Sequence, residues 1–460
     1  MSSLVSNAQY NALYTFTSDS GRNPRGSLIV SGSRFYGMTY NGGKYSHGVI
    51  FSIDTNGSNY KVLYDFNDSL GGEPYGSLII SRNKLYGMTW GGGKYGYSFG
   101  GWGDGVIFSV DTNGKNYKVL LNFNDTNGSS PYGSLTLVGH RLWGVTYDGG
   151  ANQFGCIFSI DTSGKAYKDI YDFNTSSGIN PYSSLLLSGN LLYGTLSADD
   201  SNDYGRIFSI DTNSSSYKEL CDFDSTAHNP WGSVIIVGNK LYGTTKEGVN
   251  YGTIFSVLKD GSQFKTLHVF QNDTNGALPQ GSLTFVDGVL YGMTSAGGLY
   301  SSGTMFSIDT NGSTFTKLVD FGGGGVNAKD PWYGSLILSG NGFYGMTNID
   351  PQFNGVIFDY KISLPNAIEE VDALDQKGID VFPNPASTHI EYIVNSKDAE
   401  SVKMNVYDVL GKNVATKNLK LIQGQNTFTL NLSGYSKGVY LLQLVTEDGT
   451  NSMQRKFVVE

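Results

Sequence analysis

Short apolar runs rich in Val, Ile, Leu, Tyr and Phe alternate with clusters of Gly, Asn, Asp and Ser along the first 362 residues. This spacing predicts strands joined by turns, and no helical period competes with it. Four such runs make a unit of about fifty residues, and the unit recurs seven times between Gly26 and Phe358. In the first copy the runs cover residues 27–31, 34–39, 49–54 and 60–66. The openings stand at Gly26, Gly76, Gly133, Ser183, Gly232, Gly281 and Gly334, with spacings of 50, 57, 50, 49, 49 and 53. The Phe of the third run recurs at Phe51, Phe108, Phe158, Phe208, Phe255, Phe306 and Phe358. A period of this size means one supersecondary unit stacked on copies of itself.

Two of the three turns in each copy are tight. The first carries pairs such as Gly32-Ser33, Gly139-His140 or Asp287-Gly288, which tolerate the positive φ of two-residue hairpins. The third is Asp54-Thr55-Asn56-Gly57 and its counterparts. Four antiparallel strands per unit, apolar on both faces, describe a blade covered by its neighbours, and seven of them an all-β, seven-bladed β-propeller over residues 1–362. The seventh copy lacks its fourth run, while the segment from Tyr10 to Phe16 matches that from Tyr60 to Phe66 in spacing and precedes the first opening. Pairing this segment with the seventh copy would close the ring as three strands plus one and remove both exposed sheet edges.

Near residue 363 the pattern stops. Residues 363–377 form a short acidic stretch with Glu369, Glu370, Asp372 and Asp375, expected to be a linker. Residues 378–460 follow with longer alternating strands, enough for a small β-sandwich of immunoglobulin type. This domain carries Val381-Phe382-Pro383-Asn384-Pro385-Ala386-Ser387, then Val406-Tyr407-Asp408 with Gly411-Lys412, then Gly438-Val439-Tyr440-Leu441, and ends in Arg455-Lys456-Phe457-Val458-Val459. In residues and order it resembles the C-terminal sorting domain of type IX secretion. The resemblance implies an Ig-like sandwich read by an outer-membrane translocon of Gram-negative bacteria, with Pro383, Asn384, Pro385, Gly411, Lys412, Gly438, Tyr440 and Lys456 as its motif residues. It also implies a secreted or surface location. The repeats, through Gly-Ser-Leu, Tyr-Gly-Met-Thr and Gly-Val-Ile-Phe-Ser-Ile-Asp, resemble the Gloeo/Verruco tandem repeat, a family that supplies no catalytic residues and implies no particular activity.

Charge narrows the partners. Lys plus Arg number 31 against 40 for Asp plus Glu, a net charge of -9, which argues against nucleic acid or an anionic membrane as the general partner. No apolar run reaches membrane-spanning length. Cys156 and Cys221 fall in different units and on strands, so they are expected to be thiols rather than a disulfide framework. The first eight residues have neither a basic start nor an apolar centre, so an export signal is expected to have preceded Met1.

In a four-stranded meander the second loop and the connection between units share one face, and that face carries the length variation. The 57-residue copy owes its extra length to the loop from Trp90 to Asp104, whose aromatics include Trp90, Tyr95, Tyr97 and Trp102. Aromatic planes stack on the apolar faces of sugars; the competing reading is a loop folded on itself. A second candidate set follows the recurring Pro: Arg25, Tyr75, Tyr132, Tyr182, Trp231, Gln280 and Trp332 with Tyr333, expected to surround the mouth of the central channel. Recurrence favours packing, while Arg25 and Gln280 interrupt the aromatic series with polar groups able to orient a ligand.

Other motifs reduce to structure. The Asp of Asp-Thr-Asn-Gly, at Asp54, Asp111, Asp211 and Asp309 or its equivalents, offers one carboxylate where a hard cation wants several oxygens, so it is read as turn chemistry. His47, His140, His228, His268 and His389 share no metal-ligand spacing, and neither cofactor nor metal is expected. The favoured reading is an exported binding propeller, most plausibly for glycan. Its alternatives are a polysaccharide lyase or glycoside hydrolase, for which His47 and His228 are the only hint, and a protein-protein adhesin.

Overall fold

The computed structural model describes the chain except residues 1–9, 96–102, 198–203, 214, 272–273, 324–327, 341, 351, 362–378, 383–385, 387, 397, 409–412, 437, 447–451 and 460. It divides into two compact units, residues 1–366 and 367–460. Both are all-β; among the described residues the one helical element is a 3-10 turn, Asp68–Leu70.

The first unit is a series of four-stranded antiparallel sheets. The first sheet runs Ile29–Ser31, Arg34–Thr39, Val49–Asp54 and Lys61–Asp65, each paired with the next. Five more repeat this order within residues 79–122, 136–172, 186–222, 235–269 and 284–320. The last is built from Ile337–Ser339, Gly342–Thr347, Val356–Lys361 and, from the other end of the chain, Tyr10–Thr15. The outer pair of the first sheet skips Leu63 opposite Ile50 and Phe51, and the Tyr10–Thr15 pair skips Leu13 between Ala12 and Tyr14, so the N-terminal strand carries the same bulge as the outer strand of the first sheet.

The motifs explain one another once strands are paired. In Tyr-Gly-Met-Thr the glycine lies opposite the Phe of the third strand, and a Cβ on Gly37 would stand 2.6 Å from the Phe51 ring. The same glycine-under-phenylalanine pair recurs at Gly87 with Phe108, Gly144 with Phe158 and Gly345 with Phe358. The rings are fully buried, each contributing about 1.5–3 kcal/mol of hydrophobic stabilisation. Core clusters run between sheets: Tyr36, Ile50 and Leu63 of the first pack on Leu78, Leu85 and Phe108 of the second, and Phe35 and Phe51 pack on Tyr344 and Ile357 of the last. Both faces of the middle strands are covered, hence their uninterrupted apolar runs.

Two further stitches join consecutive sheets. Ser27 N–H donates to Ser77 Oγ (2.7 Å), Ser77 to Ser134, Ser134 to Ser184, Ser184 to Ser233 and Ser233 to Ser282, and Ser335 of the last sheet donates to Ser27 of the first (2.8 Å). The residue before each recurring Pro, from Asn23 and Glu73 to Leu278 and Asp330, has φ near +55°. Glu73, for example, donates its N–H to the His47 carbonyl of one sheet and accepts from Trp90 N–H of the next. Left-handed backbone ahead of proline runs against both residues' preferences, and these paired hydrogen bonds hold it there.

The second unit has a three-stranded sheet, Asp380–Phe382, His389–Ser396 and Gly424–Asn431, and a four-stranded one ordered Asn413–Leu421, Glu400–Asp408, Gly438–Thr446, Ser452–Val459. Ile390, Tyr392 and Val394 of the first share a core with Val406, Leu442 and Phe457 of the second. Of its motif residues, Tyr440 is buried, its hydroxyl donating to the Ser436 carbonyl (2.9 Å) and its ring stacked on Phe457. Gly438 begins a strand and Lys456 pairs with Leu441. Pro383, Asn384, Pro385, Gly411 and Lys412 lie outside the described residues.

Candidate functional site

A cavity of about 210 Å³ lies along the inner edges of the first unit's sheets, lined by the Gly-Ser openings and by Tyr75, Tyr132, Tyr182, Trp231 and Tyr333. Its walls are small because the sheets approach closely: a Cβ on Gly76 would collide with the Gly133 carbonyl, and one on Gly26 with that of Gly76. Each aromatic directly precedes an opening, so the recurring Pro-aromatic-Gly-Ser sequence delivers one large side chain per sheet to the same level.

These side chains touch in a circuit. Ring centroids are 4.5 Å apart for Tyr75 and Tyr132, 4.6 Å for Tyr132 and Tyr182, 4.8 Å for Tyr182 and Trp231, 5.7 Å for Trp231 and Tyr333, and 5.6 Å for Tyr333 and Tyr75. A second tier comes from the ends of second strands: Tyr40 against Tyr75, Trp90 between Tyr75 and Tyr132, Tyr147 between Tyr132 and Tyr182. Offset and edge-to-face contacts of this kind are each worth about 0.5–1.5 kcal/mol beyond burial. Burial drives the Tyr132, Tyr182 and Tyr333 phenols well above their ordinary range, so the hydroxyls stay neutral.

The polar interruptions sit differently from one another. The Arg25 guanidinium lies 3.6 Å from the Tyr40 ring centroid, 4.2 Å from Tyr75 and 5.2 Å from Trp332. Gln280 is buried, and its amide donates to Ser295 Oγ (2.9 Å), so its donor is held by the scaffold. Trp332 is not a lining residue; Tyr333, which directly precedes Gly334, holds the lining position, and Trp332 meets it edge-on at 6.1 Å. The long loop divides: Trp90 belongs to the second tier, Tyr95 is exposed, and Tyr97 and Trp102 fall outside the described residues. Beyond the tiers, the second loops expose Tyr45, Tyr95, Tyr251, Tyr300 and Phe353.

The histidines resolve into separate settings. His47 Nδ1 lies 2.6 Å from Glu73 Oε1 and its Nε2 3.4 Å from Asp68. Burial raises the Glu73 carboxyl while the His47 contact partly offsets it, and Glu73 Oε2 is buried without a partner. His228 Nδ1 is 3.8 Å from Glu247, and His268 stacks on Phe315 at 3.9 Å as packing between sheets. Cys156 and Cys221 are free thiols, with Cys156 pushed by burial to about 12. Among the described residues no three His, Cys, Asp or Glu converge to hold a metal ion, and no helix is long and apolar enough to cross a membrane. The sequence reading missed Tyr40, Tyr147, Lys246, whose ammonium lies 3.7 Å from the Trp231 ring centroid, and Glu73. The first three follow the second run at one register, and that register was the available signal.

Solved structures with a similar course share little sequence. A puromycin-hydrolyzing peptidase of Mycobacterium tuberculosis superimposes with TM-score 0.50 at 10% identity, covering 85% of this chain and 61% of that one. PorZ, a surface component of the type IX secretion system of Porphyromonas gingivalis, gives 0.46 at 12% identity, covering 95% and 59%. A polysaccharide lyase of the ulvan lyase type gives 0.46 at 11%, covering 77% and 96%. The chain thus spans about three fifths of the length of the first two. No curated protein sequence matches it. Family models do: the Gloeobacter/Verrucomicrobia repeat matches residues 2–101, 95–249 and 225–376, and the secretion system C-terminal sorting domain matches 380–460. The chain belongs to the Gloeobacter/Verrucomicrobia repeat family and ends in a type IX sorting domain, which directs it to the secretion machinery and to a secreted or outer-membrane surface location.

Proposed function

We propose that the chain is an exported glycan-binding propeller. In this reading residues 1–362 form seven blades, the N-terminal strand completes the seventh, 363–377 is a linker and 378–460 an Ig-like sorting domain. The reading is supported by the Tyr10–Thr15 pairing with Val356–Lys361 and by the Ser335 to Ser27 hydrogen bond, which link the last sheet to the first. The observation that carries the binding role is the aromatic circuit of Tyr75, Tyr132, Tyr182, Trp231 and Tyr333, partly exposed above a cavity and backed by Tyr40, Trp90 and Tyr147. Aromatic rings clustered at one level can meet the apolar faces of sugar rings, and side chains already packed together lose little entropy on binding. Tyr45, Tyr95, Tyr251, Tyr300 and Phe353 extend the surface outward.

A second reading, a glycan-cleaving enzyme, rests on the His47–Glu73 contact, a histidine and a raised carboxyl in hydrogen-bond reach. Glu73 is 2% exposed, which favours a positioning role over contact with substrate.

The test is a glycan array with the intact chain beside Trp231→Ala and Trp90→Ala. Binding that the substitutions abolish while the melting transition is retained supports the reading. Absence of binding to every glycan by the wild type sinks it and turns attention to protein adhesion.

A further inference from the structure

From the sector around Arg25 we infer that the glycan is acidic, a polymer carrying uronate carboxylates or sulfate esters; this rests on the glycan-binding reading. The Arg25 guanidinium is held between the Tyr40 and Tyr75 rings, and its Nε is buried with no protein acceptor. Among the described residues no carboxylate lies within ion-pair distance of it. A guanidinium offers its donors edge-on when its face is stacked, and a planar carboxylate or a sulfate can take two of them at once.

Two more cations stand farther out, where the Lys44 amide meets Asp65 and the Lys94 amide meets Asn122 of the outer strands. Lys44 and Lys94 occupy the second loops of the first two sheets, each directly after a Gly-Gly pair and before an exposed tyrosine. The Lys44 ammonium is 5.0 Å from the Tyr45 ring centroid and that of Lys94 5.3 Å from Tyr95. Neither has a carboxylate within ion-pair distance among the described residues. These loops border the Arg25 site: the Glu73 N–H bonds the His47 carbonyl of the first loop, the Gly72 N–H bonds the Gly91 carbonyl, and Tyr75 touches both Arg25 and Trp90.

The acids nearby are engaged with the protein. Asp65 Oδ1 accepts the Lys44 amide (2.7 Å), Glu73 is buried against His47, and Asp68 faces His47 Nε2. What remains is Arg25 within the aromatic site and two lysines beside exposed tyrosines on the neighbouring loops, in a chain whose net charge is -9. Aromatic planes alone would serve any sugar. Cations placed beside them, with no carboxylate in ion-pair distance among the described residues, favour a sugar that brings its own negative charge.

The experiment uses the intact chain in direct binding measurements with polygalacturonate, alginate and dextran sulfate, against neutral dextran, laminarin and mannan. The expected result is at least about tenfold tighter binding to one acidic class, weakening as salt rises, since a charge-assisted bidentate contact is worth that factor or more. Arg25→Gln is expected to lower acidic-polymer affinity about tenfold. Lys44→Gln/Lys94→Gln, both exposed and so neutral for folding, is expected to lower it by a smaller factor and to flatten the salt dependence. Equal affinity for neutral and acidic polymers, or an unchanged salt slope in the lysine double variant, overturns the inference and leaves glycan binding intact. Binding to none of the six overturns both.

Discussion

Two sets of residues one step apart in the chain obey opposite rules. The Gly-Ser openings are nearly invariant within the molecule, whereas the residue just before them is Arg25, Tyr75, Tyr132, Tyr182, Trp231, Gln280 or Tyr333. At the opening, the next sheet's backbone occupies the space a side chain would need, and the serine hydroxyl accepts its neighbour's N–H. One position earlier, five of the seven side chains line a shared cavity, and size and polarity differ from sheet to sheet. Repetition there reports close approach of backbone; variation marks the place where recognition can be altered without loosening the sheets.

The strongest way to break this contrast is to open the series of sheets. Removing Tyr10–Phe16 leaves one edge of Val356–Lys361 unpaired and should cost at least about 5 kcal/mol, erasing the cooperative melt of the first unit. Calorimetry would show it, and an unchanged transition would refute the proposed ring closure. Next in size, Gly76→Ala forces a methyl into the Gly133 backbone and is expected to destabilise by about 3 kcal/mol, measured by denaturant midpoint. Trp231→Ala, in the tolerant set, should cost only about 1–2 kcal/mol through its two stacked neighbours while removing glycan binding.

A milder perturbation acts on the outer turns. Asp54 is held below the ordinary carboxylate range first by Asn59 and then by Arg34, Asp111 by Lys84 and Asn116, and Asp309 by Ser313. Carboxyls depressed in the folded state add stability that is present above their unfolded value of 3.8 and lost as pH falls through the folded values. The melting temperature should therefore hold near neutrality and fall below about pH 4, with Asp54→Asn reducing the acid-side slope. Smallest of all, Leu278→Asn places a residue tolerant of left-handed backbone where φ is +55° and should stabilise by up to about 1 kcal/mol. A loss of stability there would mean that the leucine side chain matters more than its backbone.

The candidate site was legible only in part. The post-proline series could be read because it recurs, and it led to Tyr75, Tyr132, Tyr182 and Trp231. Trp332 and Tyr333 were not separable by spacing, because a two-residue aromatic pair fits the register either way. Trp90 read as part of a long loop, since nothing local says that the end of the second strand turns its side chain toward Tyr75 and Tyr132. Glu73 was silent for a related reason: its contact with His47 crosses from one sheet's loop to the connection leading to the next.

The sequence by itself determined the strand content, the period, the tight turns and the export domain, because each depends on residues close together in the chain: Gly and Asn at positive φ, apolar runs of strand length, and a motif in fixed order. Tertiary structure alone decided which aromatics meet, which acids are already engaged and which cations lie beside aromatic rings. Those outcomes depend on distances between residues about fifty positions apart, such as Arg25 and Tyr75, and no local preference encodes such a distance.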